Sequence, residues 1–228
     1  MIGKKGENTN CYMKYSQIIW DFNGTILNDV DIGIKSANEL LEKRGIPPIK
    51  SIEEYHKAFD FPIKDYYRRI GFDFSKEPYE KIADEWFERY TFYSDEAPAV
   101  EGVFELIEYF KQSGRRQLIL SASERDILEK QLTKLGLSDK FETILACDNI
   151  YAHGKTDIAR EFFGNCGAYG SVMLGDTTHD AEVARAIGAE PFLVACGHQS
   201  YEKLSQTGCR IFESMAQVKA FFETLDRK

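Results

Sequence analysis

Ile18-Ile19-Trp20-Asp21-Phe22-Asn23-Gly24-Thr25-Ile26-Leu27 is the stretch on which the fold turns. An apolar run of strand length meets an aspartate, an Asn-Gly pair and a threonine. Taken alone, Asn-Gly between two apolar runs is a strong signal for a two-residue hairpin turn, because both residues tolerate positive φ. The remainder of the chain supplies a competing reading. Four further apolar runs follow, Arg116 to Ser121, Glu142 to Cys147, Ser171 to Gly175 and Pro191 to Cys196, and with Gln17 to Phe22 they make five. Near-continuous apolarity over strand length is expected where helices cover both faces of a sheet.

Between the later runs, Val103, Leu106, Ile107 and Phe110 fall at helical spacing before Gly114, and Ile127, Leu128, Leu132 and Leu135 do so before Gly136. Ser123 and Asp126 form a capping-box pattern at the start of the second of these helices. Strand alternating with helix predicts an α/β fold with a parallel, Rossmann-like sheet. Residues 29–97 break the alternation. They offer helical stretches over Asp31 to Arg44, Ser51 to Ala58, Ile63 to Ile70 and Pro78 to Phe92, too much for a crossover, so they are expected to form an inserted α-helical cap domain. Residues 16–28 and 98–228 would then form the core, hinged at 27–29 and 94–98. Residues 1–15 read as a polar, disordered leader, with Met13 a candidate start.

Composition bounds the function. The 228-residue chain is 43% hydrophobic and 29% charged, as ordinary globular proteins are. No run approaches the length of a membrane span. A net charge of −8 argues against nucleic acid or an anionic membrane as partner. Cys11, Cys147, Cys166, Cys196 and Cys209 are scattered without a Cys-x-x-Cys pair, which predicts reduced thiols and a cytoplasmic location. His56, His153, His179 and His198 have no zinc-site spacing, and His179 reads as a surface bystander. The sequence leaves the oligomeric state open.

In open parallel sheets, ligands bind at the carboxyl ends of strands. Those ends deliver Asp21 and Asn23, Ser121-Ala122-Ser123, Lys155 in His153-Gly154-Lys155-Thr156, and Gly175-Asp176-Thr177-Thr178-His179-Asp180. Asp21 and Asp176 on neighbouring strands would repel each other unless a cation lay between them, and all-oxygen ligation suits Mg²⁺. Thr177-x-x-Asp180 reads as a capping box, compatible with support of the metal. Lys155 at a helix N-terminus opposes the helix dipole, so a buried anionic partner is expected. Ser121 could be a turn hydroxyl or a phosphate ligand.

These segments, in this order, resemble the four motifs of the haloacid dehalogenase superfamily over residues 16–222, with an insertion similar to the cap of the phosphoglycolate phosphatase and β-phosphoglucomutase group. The resemblance implies Asp21 as nucleophile, forming an aspartyl phosphate, and Mg²⁺ held by Asp21, the Asn23 carbonyl and Asp176, with Asp180 nearby. It implies Lys155 as the charge-stabilising cation, and Thr25, Ser121 and Ala122 at the substrate phosphate. Lys64 and Arg69 correspond in position to the cap loop that faces the active site, where they could meet a carboxylate or second phosphate of a small phosphorylated substrate.

The sequence departs from the phosphatase pattern at Asn23, where an aspartate would protonate the leaving oxygen and activate water. An amide donates hydrogen bonds but transfers no proton, so turnover of poor leaving groups should fall by about 10²–10⁴-fold. A slowed phosphatase, a phosphonate hydrolase using Lys35, Lys43, Lys57 or Lys64 as Schiff base, and a non-catalytic phosphate-binding protein all remain open. A metal-free dehalogenase would not need Gly175-Asp176-x-x-x-Asp180.

Overall fold

The opening apolar run becomes the central strand of the sheet. In the computed structural model, which describes residues 13–147 and 154–227, β1 (Gln17–Trp20) lies between β2 (Arg116–Glu124) and β4 (Ser171–Gly175). With β3 (Thr143–Cys147), β5 (Glu190–Val194) and β6 (Arg210–Phe212) these form an all-parallel sheet in the order β3-β2-β1-β4-β5-β6. Order reverses between β1 and β4, so a crevice opens beyond their carboxyl ends, where Asp21 and Asp176 lie.

Side-chain alternation splits the core in two. Ile18, Trp20, Ile119 and Leu174 face a cluster completed by α5 (Val103–Gln112), α6 (Arg125–Lys134) and α10 (Met215–Asp226). Ile19, Leu118, Leu120 and Met173 face α7 (Lys155–Phe163) and α8 (Thr178–Ile187) on the other side. Burial on both faces is why these strands read as continuous apolar runs.

The segment between β1 and α5 carries α1 (Val30–Lys43), α2 (Ile52–Ala58), α3 (Ile63–Arg69) and α4 (Tyr79–Ser94), close to the predicted helices. They pack around their own apolar cluster, which includes Leu41, Tyr55, Tyr66, Tyr67 and Ile82. The two chain crossings are tied together, Asn28 N–H donating to the Pro98 carbonyl at 2.8 Å. Polar and ring contacts tie the insertion to the core: Lys203 Nζ donates to the Phe59 carbonyl at 2.9 Å, Lys130 and Lys134 of α6 pair with Asp95 at 2.9 Å, and the Phe59 ring stacks on His198.

Several local expectations are corrected. Asn-Gly makes no two-residue hairpin: Gly24 alone takes positive φ (+73°), and an isolated bridge joins Asn23 to Leu27. The cap of α6 is Glu124, whose carboxylate accepts from the Asp126 and Ile127 N–H groups, rather than Ser123, whose hydroxyl is drawn to Asn23. β1 stops at Trp20, and β2 runs on to Glu124 through an irregularity after Leu120. A sixth strand, β6, follows α9 (Tyr201–Ser205); only three residues long, it carries too few alternations to stand out. Residues 1–12 of the expected leader, Cys11 and His153 lie outside the described residues. No helix among the described residues is long and apolar enough to cross a membrane.

Candidate active site

Three carboxylates and one ammonium converge where β1, β4, α7 and α8 meet. Lys155, only 4% exposed, donates from Nζ to Asp21 Oδ1 and Asp180 Oδ1, and so gains the buried anionic partners that its helix position demanded. Asp180 also completes the expected capping box, its Oδ2 accepting from the Thr177 N–H at 3.0 Å and hydroxyl at 2.6 Å. Asp176 accepts from the His198 N–H at 2.6 Å. Burial is the largest influence on the Asp176 carboxyl and pushes it well above the ordinary range, with Asp21 and Asp180 adding to the rise. Burial also raises Asp21, to about 6, against the pull of Lys155. For Asp180 burial is outweighed by Lys155, which holds the carboxyl below its usual value.

Ligand oxygens of Asp21, Asp176 and Asp180 lie within 4.8 Å of one another, all buried. With all three carboxylates ionised, Lys155 offsets one charge and two remain, which is why Asp21 and Asp176 are pushed toward their neutral forms without a further cation. An all-oxygen donor set with that deficit fits a divalent hard cation such as Mg²⁺. Room for it depends on backbone without side chains: a Cβ on Gly24 would stand 2.3 Å from Asp176 Oδ2, and one on Gly197 2.1 Å.

Asn23 sits in a network that the sequence did not reveal. Its amide donates to Asp29 Oδ2 at 2.8 Å and to the Tyr90 hydroxyl at 2.6 Å, while its oxygen accepts from Ser123 Oγ at 2.5 Å. Tyr90 in turn donates to Asp29 Oδ2 at 2.6 Å, and Asp29 Oδ1 faces His198 Nε2 at 3.3 Å. Tyr55 OH meets His198 Nδ1 at 2.7 Å. Burial opposes charge on His198, but Asp29 above all, with Asp176 and Asp21, raises it to about 9. His198 holds Asp29 below the ordinary carboxylate range despite burial. Both could have been suspected, since Asp29 follows β1 and His198 follows β5, on the same side of the sheet. Tyr55 and Tyr90 gave no such signal; each reads as part of an apolar helix face.

Other candidates divide by position. Ser121, Ala122 and Ser123 line a cavity of about 570 Å³ that also reaches Asp21, Asn23, Lys155 and Asp176. Thr25, expected at the substrate, is fully buried; its hydroxyl oxygen lies 3.2 Å from both Asp21 Oδ2 and Asp176 Oδ1, so its single proton is donated to one carboxylate or the other. Lys64 and Arg69 stand off the cavity. Lys64 lies over the Phe74 and Tyr79 rings, and Arg69 donates to the Ala58 carbonyl at 3.0 Å beside Asp60. Partners elsewhere in the insertion, the Ala58 carbonyl at the end of α2 and the Phe74 and Tyr79 rings after α3, capture them before they reach the strand ends. His179, read as a bystander, borders the cavity against Phe61, ring centroids 4.8 Å apart.

The family model of haloacid dehalogenase-like hydrolases matches residues 18–194. This chain belongs to that family. Solved structures agree in fold. A haloacid dehalogenase-like hydrolase from Streptococcus pneumoniae superposes with a TM-score of 0.77 at 18% identity, over 92% of this chain and 99% of that one. A predicted phosphatase from Clostridium acetobutylicum gives 0.76 at 19% identity over the same shares. A predicted phosphoglycolate phosphatase from Haemophilus somnus gives 0.72 at 17%, again over 92% and 99%. No curated protein matches the chain in sequence. Within the family frame, Asp21 and Asp176 occupy the strand ends on either side of the switch in strand order, and Asn23 stands two residues beyond the first.

Proposed function

We propose that this member of the haloacid dehalogenase-like family is a Mg²⁺-dependent phosphatase of a small phosphorylated metabolite, with residues 29–97 as its cap. The observation that carries the reading is the buried Asp21–Asp176–Asp180 cluster, neutralised only in part by Lys155. Mg²⁺, held by Asp21, the Asn23 carbonyl and Asp176 with Asp180 behind them, would supply electrostatic stabilisation of the transferring phosphoryl group. Asp21 is the nucleophile: its carboxylate oxygen forms a bond to phosphorus as the bond to the leaving oxygen breaks. Water then hydrolyses the aspartyl phosphate, releasing phosphate and restoring the carboxylate. Lys155 holds Asp21 oriented and offsets charge on the phosphoryl oxygens. Ser121 lines the cavity, and its Oγ, which accepts from the Ser123 N–H at 3.0 Å, keeps its own proton to donate to those oxygens.

A phosphonate hydrolase would need a lysine in the cavity wall as Schiff base. Lys35 lies on the Tyr93 ring, Lys43 pairs with Glu85, and neither these nor Lys57 and Lys64 line the cavity. Phosphate release from a panel of metabolite phosphates, with and without Mg²⁺ and beside Asp21→Asn, tests the proposal. Mg²⁺-dependent release that the variant abolishes is expected; no release above the variant would leave only a phosphate-binding role.

A further inference from the structure

We infer that the substrate is an aryl phosphate, a phenolic monoester carrying no further negative charge; the inference rests on the phosphatase reading above. Beyond the carboxylates, the cavity wall is aromatic: Tyr55, Tyr66, Tyr67, Tyr79, Trp86 and Phe87 line it from the insertion side. A volume of about 570 Å³ accommodates a ring or two, and ring faces and edges prefer aromatic partners. Trp86 is stacked on Tyr90 with centroids 4.8 Å apart, so part of the wall is already fixed.

The charge on the wall points the same way. Among the described residues, Lys155 is the only lysine or arginine lining the cavity, and both its carboxylate partners are in the catalytic cluster. Glu80 lines the insertion side, and Glu124 lines the core side with its carboxylate capping α6. A second carboxylate or phosphate on the substrate would find no unengaged lysine or arginine; His198, the other cation on the wall, is already paired with Asp29, and Glu80 and Glu124 present like charge.

Position 23 supplies an independent argument. Both amide hydrogens of Asn23 are donated, to Asp29 and Tyr90; the Tyr90 hydroxyl donates to Asp29, and the Ser123 hydroxyl to Asn23. With no proton offered at position 23, and His198 held between Asp29 and Tyr55, the leaving oxygen is left to depart as its anion. A phenol ionises near pKa ~10, whereas an alkanol is closer to water at ~16, so only the phenolate leaves readily unassisted. In this step Asp21 bonds to phosphorus, the electron pair of the P–O bond leaves on the phenolate, and solvent protonates it afterwards.

The test is kcat/KM with Mg²⁺ for phenyl phosphates of graded leaving-group acidity, 2-naphthyl phosphate, glycerol phosphate, phosphoglycolate, phosphocholine and acetyl phosphate. Naphthyl phosphate should exceed glycerol phosphate and phosphoglycolate by at least about 10²-fold, with a steep dependence on leaving-group acidity. Phe87→Ala should lower the ratio of naphthyl to acetyl phosphate turnover by about tenfold, the loss of one buried ring contact. A preference for phosphoglycolate or phosphocholine, or an equal loss on both substrates in Phe87→Ala, overturns the aryl assignment while the phosphatase stands. Quenching of Trp86 fluorescence by naphthyl phosphate in Asp21→Asn, assigned by a Trp86→Phe control, reads ring binding without turnover. Quenching by an enzyme that releases no phosphate from any ester overturns the phosphatase reading and keeps the aryl ligand; no release and no quenching overturn both.

Discussion

At the residue scale, position 23 decides how hard the chemistry is. Asn23→Asp would set a second carboxylate 2.8 Å from Asp29 Oδ2, and two carboxylates so close hold one proton between them. That proton is what an alkoxide leaving group lacks, so release from glycerol phosphate should rise by about 10²–10⁴-fold, with a lower melting temperature as the cost. An unchanged rate would show that Asn23 is not the limiting defect. His198 makes a pH-dependent contribution with a definite sign. Its folded pKa of about 9 lies above the ordinary histidine value of 6.5, so its protonated form stabilises the fold fully below about pH 6.5, and that stabilisation is lost as pH rises through about 9. In chelator, the melting-temperature gap between the native chain and His198→Gln should therefore narrow from about pH 6 to about pH 10. A gap that widens would mean that His198 is neutral in the fold.

At the scale of elements, two kinds of packing are at stake. Ile82 on α4 is 1% exposed in the apolar cluster of the insertion, and Ile82→Ala should cost about 2–5 kcal/mol in urea unfolding, provided the insertion melts with the sheet. A separate early transition would reveal instead that the insertion unfolds as an independent unit, as a cap joined by two crossings could. The loop after β5 packs by having no side chain. Gly197→Ala would drive a Cβ against Asp176 Oδ2 and the Gly24 carbonyl, 2.1 and 2.5 Å away, displacing a proposed metal ligand. Calorimetric Mg²⁺ affinity should drop by about tenfold or more, comparable to losing a supporting contact at a metal site. Retained affinity would mean that Asp176 does not ligate.

For the whole molecule, the charge deficit of the carboxylate cluster links metal binding to stability. A cation that binds only the folded state stabilises it by about 2.7 kcal/mol at a hundredfold excess over Kd. Melting temperature should rise with Mg²⁺, fall back with chelator, and lose this response in Asp176→Asn. A response that survives the substitution would place the ion elsewhere. The cluster draws on residue 21 past β1, residue 155 at the start of α7 and residues 176–180 past β4, far apart in sequence, so the site exists only when the sheet and its helices are assembled.

Legible in the amino-acid sequence alone were the parallel α/β core, the helical stretch between β1 and α5, and the candidates Asp21, Ser121, Lys155, Asp176 and Asp180, which the fold gathers around one cavity. Each of these leaves a local trace: an apolar run buried on two faces, a 3.6-residue period, a polar residue at the end of such a run, or, for Lys155 and Asp180, a charged residue in the first turn of a helix. Helix boundaries on α1 to α4 were legible to within a residue or two for the same reason. What only the tertiary structure decided are relations between segments with no common local pattern. Glu124 displaced Ser123 as a cap because Asn23, a hundred positions away, claims the Ser123 hydroxyl. Thr25 turned inward to two carboxylates, and Lys64 and Arg69 were captured by neighbours on other segments of the insertion, the Tyr79 ring of α4 and the Ala58 carbonyl of α2. The Asp29–His198 pair, with Tyr55 and Tyr90 around it, forms where the loops after β1 and β5 meet the insertion. Periodicity reports which face of an element is buried, whereas hydrogen-bond and ion partners are set by which elements the fold brings side by side.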